Sequence, residues 1–389
     1  MKTESANNLF FEIGSSQLIK HGEELCGDSV ITRNSPEGAV IIMSDGLGSG
    51  VKANILSTLT STILSVMIQN DVGMTDILET LLATLPTCSY RQLAYSTFTY
   101  AQFMPSGRMH VANYDNPHMI LIRDDKIVNV SGNEHIILDK KINEATISLK
   151  PGDTCIFLSD GEIHAGMDGM CNLGFGWTQV AEFAARLASK AMTAKEIAYE
   201  LTNVAWQLYC QQPGDDTTAV VVRVREKHNL TMMVGAPENP EDDVTIVEQL
   251  MAPPGRKIVC GGTTSNIVSR ELGCEVTVDF SSIRDDIPPV GTMPGIHLCT
   301  EGIITISNAL KLLKEHPSYK RLEIFNDGVS RLVHELMQAD DITILIGQAM
   351  NQAHKSTNLP TEFGLKTQIM EKIAGMLTAE GKHVRINYF

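Results

Sequence analysis

Three features are scarce or missing in this sequence of 389 residues: paired cysteines, long apolar runs and basic residues. The eight cysteines stand singly, without a CxxC pair, so neither a zinc ribbon nor a thioredoxin-like motif has support. We therefore expect reduced thiols that are buried like small apolar side chains. No apolar run reaches the roughly 18 residues of a membrane span, and the N-terminus lacks the apolar core of a signal peptide. These absences predict a cytoplasmic protein without a membrane segment.

Acidic residues outnumber basic ones, 46 to 31, which gives a net charge of -15. Because such a surface repels nucleic-acid phosphates, we expect no nucleic-acid partner. Hydrophobic residues make up 43% of the chain and charged residues 20%, so a folded protein is expected rather than a disordered one. At about 100–200 residues per domain, the length predicts two or three domains.

Strand-like segments cluster before and after helical ones, which is typical of an α+β fold rather than a doubly wound parallel sheet. Apolar residues at three-to-four spacing predict a helix over 51–69. A polar stretch with Gly and Pro follows residue 226. We therefore predict a first domain over 1–226, a linker over 227–243 and a smaller α/β domain over 244–389.

Four acidic motifs stand out, and three of them lie at the ends of strongly apolar strands or just before them. They are GDS with Asp28, SDG with Asp45, a second SDG with Asp160, and GDD with Asp215. Strand ends aim side chains rigidly, and carboxylates that converge near a core need a compensating charge. Mg²⁺ or Mn²⁺ supplies that charge and binds carboxylate, carbonyl and water oxygens. A single DG dipeptide is usually a turn, but the combination favours a metal site.

The same motifs resemble those of the metal-dependent PPM protein phosphatases, in their bacterial SpoIIE-like branch. The matching segments, in the family's order, are GDSV (27–30), IIMSDGLGSGVKA (41–53), a strand pair (96–122), LKPGDTCIFLSDGE (149–162) and PGDDTTAVVVRV (213–224). The resemblance covers residues 10–225. It implies a central β-sandwich flanked by helices, with two metal ions at one end.

The resemblance also implies roles for individual residues. Asp45 is similar to the carboxylate that bridges two Mn²⁺ or Mg²⁺ ions, and the carbonyl of Gly46 is similar to the oxygen ligand beside it. Asp28 is similar to the acid that holds one ion, mainly through water. These assignments place the first ion among residues of the two earliest motifs.

The later motifs are similar to those that hold the second ion. Asp160 and Asp215 resemble its acids, and Asp216 ranks second to Asp215. The family's mechanism is implied with them: a water activated by the two ions attacks the phosphorus of phosphoserine or phosphothreonine in a regulatory protein. Relatives often act on phosphorylated anti-sigma-factor antagonists, which makes such a protein the implied partner. A homodimer is left open.

Two positions depart from the family pattern. Many members carry His after the DG of the second motif, as a general acid, whereas this sequence has Leu47. Many also carry an Arg upstream of the first motif to bind phosphate, whereas the local sequence reads HGEEL. Lys20 and His21 are the candidate replacements for that cation. His164, four residues after Asp160, is a candidate for a role near the metals.

The C-terminal third carries one further signal. A strand, a turn and a helix are predicted over 257–272, so the backbone of Gly261–Ser265 is a candidate site for a small anion at a helix N-terminus. Ordinary turn-and-cap use of these residues is the simpler interpretation. The alternative function is therefore a phosphatase-like sensor or partner-binding module with weak or no catalysis. In it, the regulatory C-terminal domain binds a nucleotide or other anion.

Overall fold

The computed structural model describes residues 9–35, 37–70, 72–85, 96–138, 140–167, 173–284, 287–315, 325–349 and 361–389. The chain divides into two compact units, Met1–Glu226 and Lys227–Phe389. The strands of the first unit are β1 (Leu9–Leu18), β2 (Asp28–Ser35), β3 (Gly38–Gly46), β4 (Ser96–Phe103), β5 (Arg108–Tyr114), β6 (Ile120–Arg123), β7 (Lys126–Val128), β8 (Asn133–Ile137), β9 (Lys140–Ser148), β10 (Thr154–Leu158) and β11 (Thr217–Glu226). Its helices are α1 (Gly50–Gln69), α2 (Met74–Thr84), α3 (Asp160–Ile163), α4 (Trp177–Ala188) and α5 (Ala194–Leu208).

Two antiparallel sheets form the centre of the first unit. One has the order β1-β11-β10-β6-β7 and the other the order β2-β3-β4-β5-β9-β8. Their facing sides share one apolar core, in which Phe11 and Phe157 of the first sheet belong to the same cluster as Ile41 and Phe103 of the second. Alternation along each strand sends the remaining apolar side chains to the outer faces. The sheets therefore form a β-sandwich.

Helices cover both outer faces of the sandwich. α4 and α5 pack on the first sheet, where Val180 and Ile197 join Ile156 and Val221 in a second core. α1 and α2 pack on the second sheet, where Leu64 joins Phe98. The predicted α+β fold, a central β-sandwich flanked by helices, is confirmed.

Helix α1 lies directly behind the strand that carries the second acidic motif. Its buried residues are mostly small, namely Gly50, Ala53, Ser57, Thr60, Ser61, Leu64 and Ser65. Small side chains let a helix approach a sheet closely. By length and composition α1 alone, within the described residues, also passes a test for membrane spans, with a mean hydropathy of 1.4, but such a test is passed by core helices too.

The second unit is built on one sheet of seven strands. Its strands are β12 (Asn229–Val234), β13 (Arg256–Cys260), β14 (Thr277–Asp279), β15 (Val290–Met293), β16 (Ile296–Thr300), β17 (Asp341–Ile346) and β18 (His383–Tyr388). Its helices are α6 (Asp243–Met251), α7 (Gly262–Leu272), α8 (Ile303–Glu315), α9 (Gly328–Gln338) and α10 (Thr361–Ala379). The order in the sheet is β14-β15-β16-β13-β12-β17-β18. The five neighbouring strands β16, β13, β12, β17 and β18 run parallel to one another. Helices α8, α9 and α10 cover one face, and α6 and α7 the other.

The prediction of a linker over 227–243 is wrong. Strand β12 lies within it and is a central strand, with parallel partners β13 and β17 on its two sides. Leu230 and Met232 face one apolar core, and Met233 faces the other. A strand that is buried on both faces lacks the alternation of apolar and polar residues that marks a half-buried strand. Because β12 is also short and lies between polar segments, its sequence resembled a linker. One expectation about cysteine also fails, because Cys210 is exposed.

Candidate metal centre

Hairpin register brings the two earliest acidic motifs side by side. Asp28 opens β2 and Asp45 lies near the end of β3, and the two residues are direct partners in the antiparallel ladder. The later motifs reach the same place from the other sheet. Asp160 follows β10 and opens α3, whereas Asp215 and Asp216 precede β11, the antiparallel neighbour of β10. Strand ends of both sheets thus carry all five predicted acids.

Mutual repulsion and burial act on these carboxyl groups together. Burial, together with the charges of Asp28, Asp160 and Asp215, raises the pKa of Asp45 to about 9. Burial also raises the pKa of Asp28 to about 7, with a contribution from Asp216. The pKa of Asp215 is raised by burial and by Asp160. Three other acids thus act on the Asp45 carboxyl, as expected for a bridging carboxylate.

Two buried carboxylate oxygens in this group have no hydrogen-bond partner. They are Oδ1 of Asp28 and Oδ2 of Asp216, and each residue is only 4% exposed. Unpaired buried carboxylate oxygens are costly, and a hard divalent cation satisfies them. The donor set therefore fits Mg²⁺ or Mn²⁺. Within the part of the chain that the structure describes, however, no group of three or more His, Cys, Asp or Glu side chains is arranged so that it could hold a metal ion.

A threonine of the last motif fixes the orientation of Asp28. The hydroxyl of Thr218 donates to Oδ2 of Asp28 at 2.6 Å, which joins β11 of one sheet to β2 of the other. The backbone N–H of Thr218 donates to the buried hydroxyl of Ser159 at 2.8 Å, and Gln17 donates to the Thr218 hydroxyl at 3.1 Å. Thr218 was not predicted from the sequence, although it is the second threonine of the GDDTT motif.

The glycines that follow the acids make room for protein backbone. A Cβ at Gly46 would lie 2.0 Å from the carbonyl oxygen of Ala53, and a Cβ at Gly161 would lie 2.1 Å from that of Asp216. Each glycine therefore permits a close contact between the motif and a neighbouring segment. The Gly46 carbonyl follows Asp45 directly in the chain, and its part as an oxygen ligand stays a prediction.

The two candidate cations near the first motif are placed differently. The Nζ atom of Lys20 lies 3.7 Å from Oδ1 of Asp215, and the Lys20 backbone N–H donates to Oδ1 of Asp216 at 3.1 Å. His21 donates its backbone N–H to the carbonyl of Pro213 at 2.8 Å. Of the two candidates that the sequence left open, the structure therefore brings the side chain of Lys20 to the acids.

The two other positions that sequence reasoning singled out lie at the margin. Leu47 is exposed and carries no exchangeable proton in its side chain. His164 is half-exposed, and its Nδ1 lies 3.9 Å from Oδ2 of Asp160.

Glu162 is a functional candidate that the sequence did not reveal. It lies in α3 two residues after Asp160, its exposure is 0%, and both of its carboxylate oxygens lack a hydrogen-bond partner. Burial raises its pKa well above the ordinary value. Tyr209, whose hydroxyl donates to the carbonyl of Gly161 at 2.8 Å, secures the same turn.

The predicted anion segment of the second unit lies at the carboxyl end of β13. Gly261 precedes α7, and the hydroxyl of Thr264 accepts a hydrogen bond from the backbone N–H of Gly235 at 3.1 Å. That hydroxyl therefore joins the first turn of α7 to the residue that follows β12. Anion binding by Gly261–Ser265 stays a prediction.

Residues 35–225 match the family model described as Stage II sporulation protein E (SpoIIE). The chain carries a SpoIIE-family domain. This assignment confirms the resemblance to PPM phosphatases of the SpoIIE-like branch. No curated protein matches the chain.

Several solved structures resemble the SpoIIE-family domain. The phosphatase domain of SpoIIE from Bacillus subtilis shows 21% identity and a TM-score of 0.43, covering 57% of this chain and 94% of that one. The RsbU and RsbW domains of a Mycobacterium tuberculosis protein show 18% identity and a TM-score of 0.45, and the match covers 62% of this chain and 67% of that one. The SiaA-PP2C domain of Pseudomonas aeruginosa shows 18% identity and a TM-score of 0.44, and the match covers 54% of this chain and 85% of that one. Because these identities and TM-scores are low, the family assignment rests on the match to the family model.

Proposed function

We propose that the SpoIIE-family domain hydrolyses phosphoserine or phosphothreonine in a regulatory protein, with two divalent cations bound at the five-acid cluster. The observation that carries this proposal is the convergence of Asp28, Asp45, Asp160, Asp215 and Asp216 with unpaired buried oxygens. The family assignment supports the phosphatase class. An anti-sigma-factor antagonist is the kind of substrate that the resemblance suggests.

Each acid would have a distinct part in holding the cations. By the family resemblance, Asp45 would serve both ions, with the Gly46 carbonyl as the oxygen ligand beside it. Asp28 would hold one ion, and Asp160 and Asp215, with Asp216 ranked second to Asp215, would hold the other. When bound, Mn²⁺ or Mg²⁺ lowers the pKa of water to near neutrality and offsets charge on the phosphoryl oxygens.

The chain's own residues supply rigidity and orientation. Asp45 is fixed by ladder pairing on both sides, with β2 and β4. Thr218 holds one oxygen of Asp28, which leaves the other oxygen, Oδ1, for a ligand. Fixed carboxylates also accept hydrogen bonds from an attacking water and so select its orientation relative to the phosphorus. Ser44 is not a nucleophile candidate, because its hydroxyl is buried against Ser96 and the carbonyl of Thr97.

Turnover of the full-length protein tests the proposal. With Mn²⁺, it should hydrolyse p-nitrophenyl phosphate and phosphoserine peptides, and phosphotyrosine peptides more slowly. Asp45→Asn should lower turnover by about 100-fold or more, because it removes the central charge of a preorganised site. Asp125→Asn is the matched control on an exposed turn far from the motifs in sequence. Equal turnover in Asp45→Asn, or turnover that persists after chelation, would contradict the proposal. Mn²⁺ binding without turnover would favour the sensor alternative.

A further inference from the structure

Helix α1 has the opposite polarity from an ordinary surface helix. The side that faces the sheet carries mostly small or hydroxyl-bearing residues, and the buried hydroxyl of Ser57 donates to the carbonyl of Asn54 at 3.1 Å. The solvent side carries Val51 and Ile55, which are 58% and 52% exposed. An amphipathic helix normally turns its large apolar side chains towards the core. The outer face of α1 thus has the composition of a contact surface.

Two further exposed side chains extend this face. Leu47 precedes α1 and is 46% exposed, and Leu25 of the loop between β1 and β2 is 42% exposed. The loop lies against the first turns of α1, because the carbonyl of Cys26 accepts from Nδ2 of Asn54 at 2.8 Å. None of these four apolar side chains belongs to a core cluster of the described residues. We call them the α1 patch: Leu25, Leu47, Val51 and Ile55.

The α1 patch begins at the metal centre. Leu47 lies two residues after Asp45, so their Cα atoms are at most about 8 Å apart. The N–H of Gly46 donates to the carbonyl of Gly27 at 3.1 Å, which holds the turn of the second acidic motif against the first motif. A protein segment whose phosphoserine reached the acids would place on the patch the residues about two to four positions away, at about 3.3–3.6 Å per extended residue.

The size and charge of the patch decide which partner it fits. Four side chains are far fewer than the roughly 20–30 residues that each partner contributes to a stable interface, so the patch is too small to hold a dimer by itself. The exposed Glu23 and Glu24 precede Leu25 and outnumber Lys52, the charged residue of α1, so an anionic lipid surface is repelled. A transient protein partner that is neutral or basic fits both properties.

We infer that the α1 patch docks the phosphoprotein substrate, by contacting large apolar side chains close to its phosphoserine or phosphothreonine. The inference rests on the proposed function, because it names the class of substrate for that same site. Each leucine that the patch removes from water adds binding that a serine at the same position does not supply. The substrate is thus a phosphorylated segment with apolar and basic neighbours rather than acidic ones.

Selectivity between two phosphopeptides tests the inference on the full-length Mn²⁺-loaded protein. Both peptides carry phosphoserine and the same lysines, and one has leucines where the other has serines, about two to four residues from phosphoserine. The kcat/KM of the leucine peptide should be higher by about ten-fold or more. Val51→Gln combined with Ile55→Gln should lower this ratio to about two or less, with helix propensity kept.

Val66→Gln is the matched control for the double variant. Val66 is also 52% exposed on α1, but it lies about 22 Å further along the helix than Val51. The control should keep the wild-type ratio. Because the readout is a ratio between two peptides, a general loss of activity in any variant cancels.

The outcomes separate the docking role from the proposed function. Turnover with a wild-type ratio near one, or a ratio that the double variant keeps, would overturn the docking role and leave the proposed function standing. Leucine-peptide binding in fluorescence anisotropy that the double variant loses, in a protein without turnover, would support the docking role and reject the proposed function. Absence of both turnover and binding would reject both.

Two further measurements test the other occupants of the patch. Sedimentation equilibrium detects a second copy of the chain, and flotation with phosphatidylglycerol vesicles detects a lipid surface. We expect a monomer that does not float. A dimer or vesicle binding that the double variant abolishes and Val66→Gln keeps would overturn the inference.

Discussion

Replacing Asp45 by Asn should stabilise the metal-free protein, although it should also abolish catalysis. In the folded protein the Asp45 carboxyl has a pKa of about 9, against an ordinary value of 3.8. In the unfolded chain it ionises above about pH 4, whereas in the fold it keeps its proton. A group whose folded pKa is raised contributes stability below its unfolded pKa and loses it as pH rises. Metal-free protein should therefore lose stability between about pH 4 and pH 9.

The magnitude follows from the same shift. At pH 7 the folded carboxyl binds a proton about three pH units above its ordinary pKa, which at about 1.4 kcal/mol per unit lowers stability by up to about 4 kcal/mol. Asparagine is a neutral side chain of the same shape and avoids this cost. We expect a gain of about 2–4 kcal/mol, or a rise in Tm of at least about 5 °C for a unit of this size.

Calorimetry of chelated full-length protein at several pH values measures the effect. The transition that shifts when Mn²⁺ is added belongs to the SpoIIE-family domain. Asp153→Asn is the matched control, because Asp153 is a buried aspartate that is paired with Arg123 through contacts of 2.8 and 2.6 Å. That change should destabilise. If Asp45→Asn lowers the Tm, or raises it equally at about pH 5 and pH 8, the repulsion argument is refuted.

Two further predictions concern residues that support the site. Thr218→Val removes the hydrogen bond to Asp28 and should weaken Mn²⁺ binding, measured by calorimetry, by about ten-fold. Circular dichroism should show that the variant keeps its fold. Unchanged Mn²⁺ affinity would show that Thr218 does not orient Asp28. Glu162→Gln removes a buried carboxyl whose pKa is raised, so its stability relative to wild type in urea should improve as pH rises from about 5 to 8. A constant difference across that range would mean that Glu162 is not protonated in the fold.

The acid motifs could be predicted because their signals are local. Each lies next to one end of a strand, and the antiparallel pairing of β2 with β3 places Asp28 opposite Asp45. The supporting residues could not be predicted in the same way. The contact of Thr218 with Asp28 joins residues 190 positions apart, and only the packing of two sheets creates it. The burial of Glu162 likewise depends on how α3 lies over β11, which no local pattern encodes.

The second unit shows the opposite difficulty. The strand, turn and helix over 257–272 were predictable from sequence, whereas β12 was taken for a linker. Only tertiary pairing with β13 and β17 makes these six residues between polar segments a central strand. At Lys20, sequence left two neighbouring candidates, and the fold separated them through the direction of one side chain. Local patterns thus locate the acids, whereas the contacts that tune them arise from the assembled sandwich.

Equilibrium dialysis with Mn²⁺ tests the central claim most directly, because it detects the proposed ions without assuming any substrate. The full-length protein should bind two ions per chain, Asp45→Asn should lose at least one of them, and Asp153→Asn should bind as the wild type does once folded. No binding to the wild type, or equal binding by Asp45→Asn, would contradict the claim that the five-acid cluster is a metal centre.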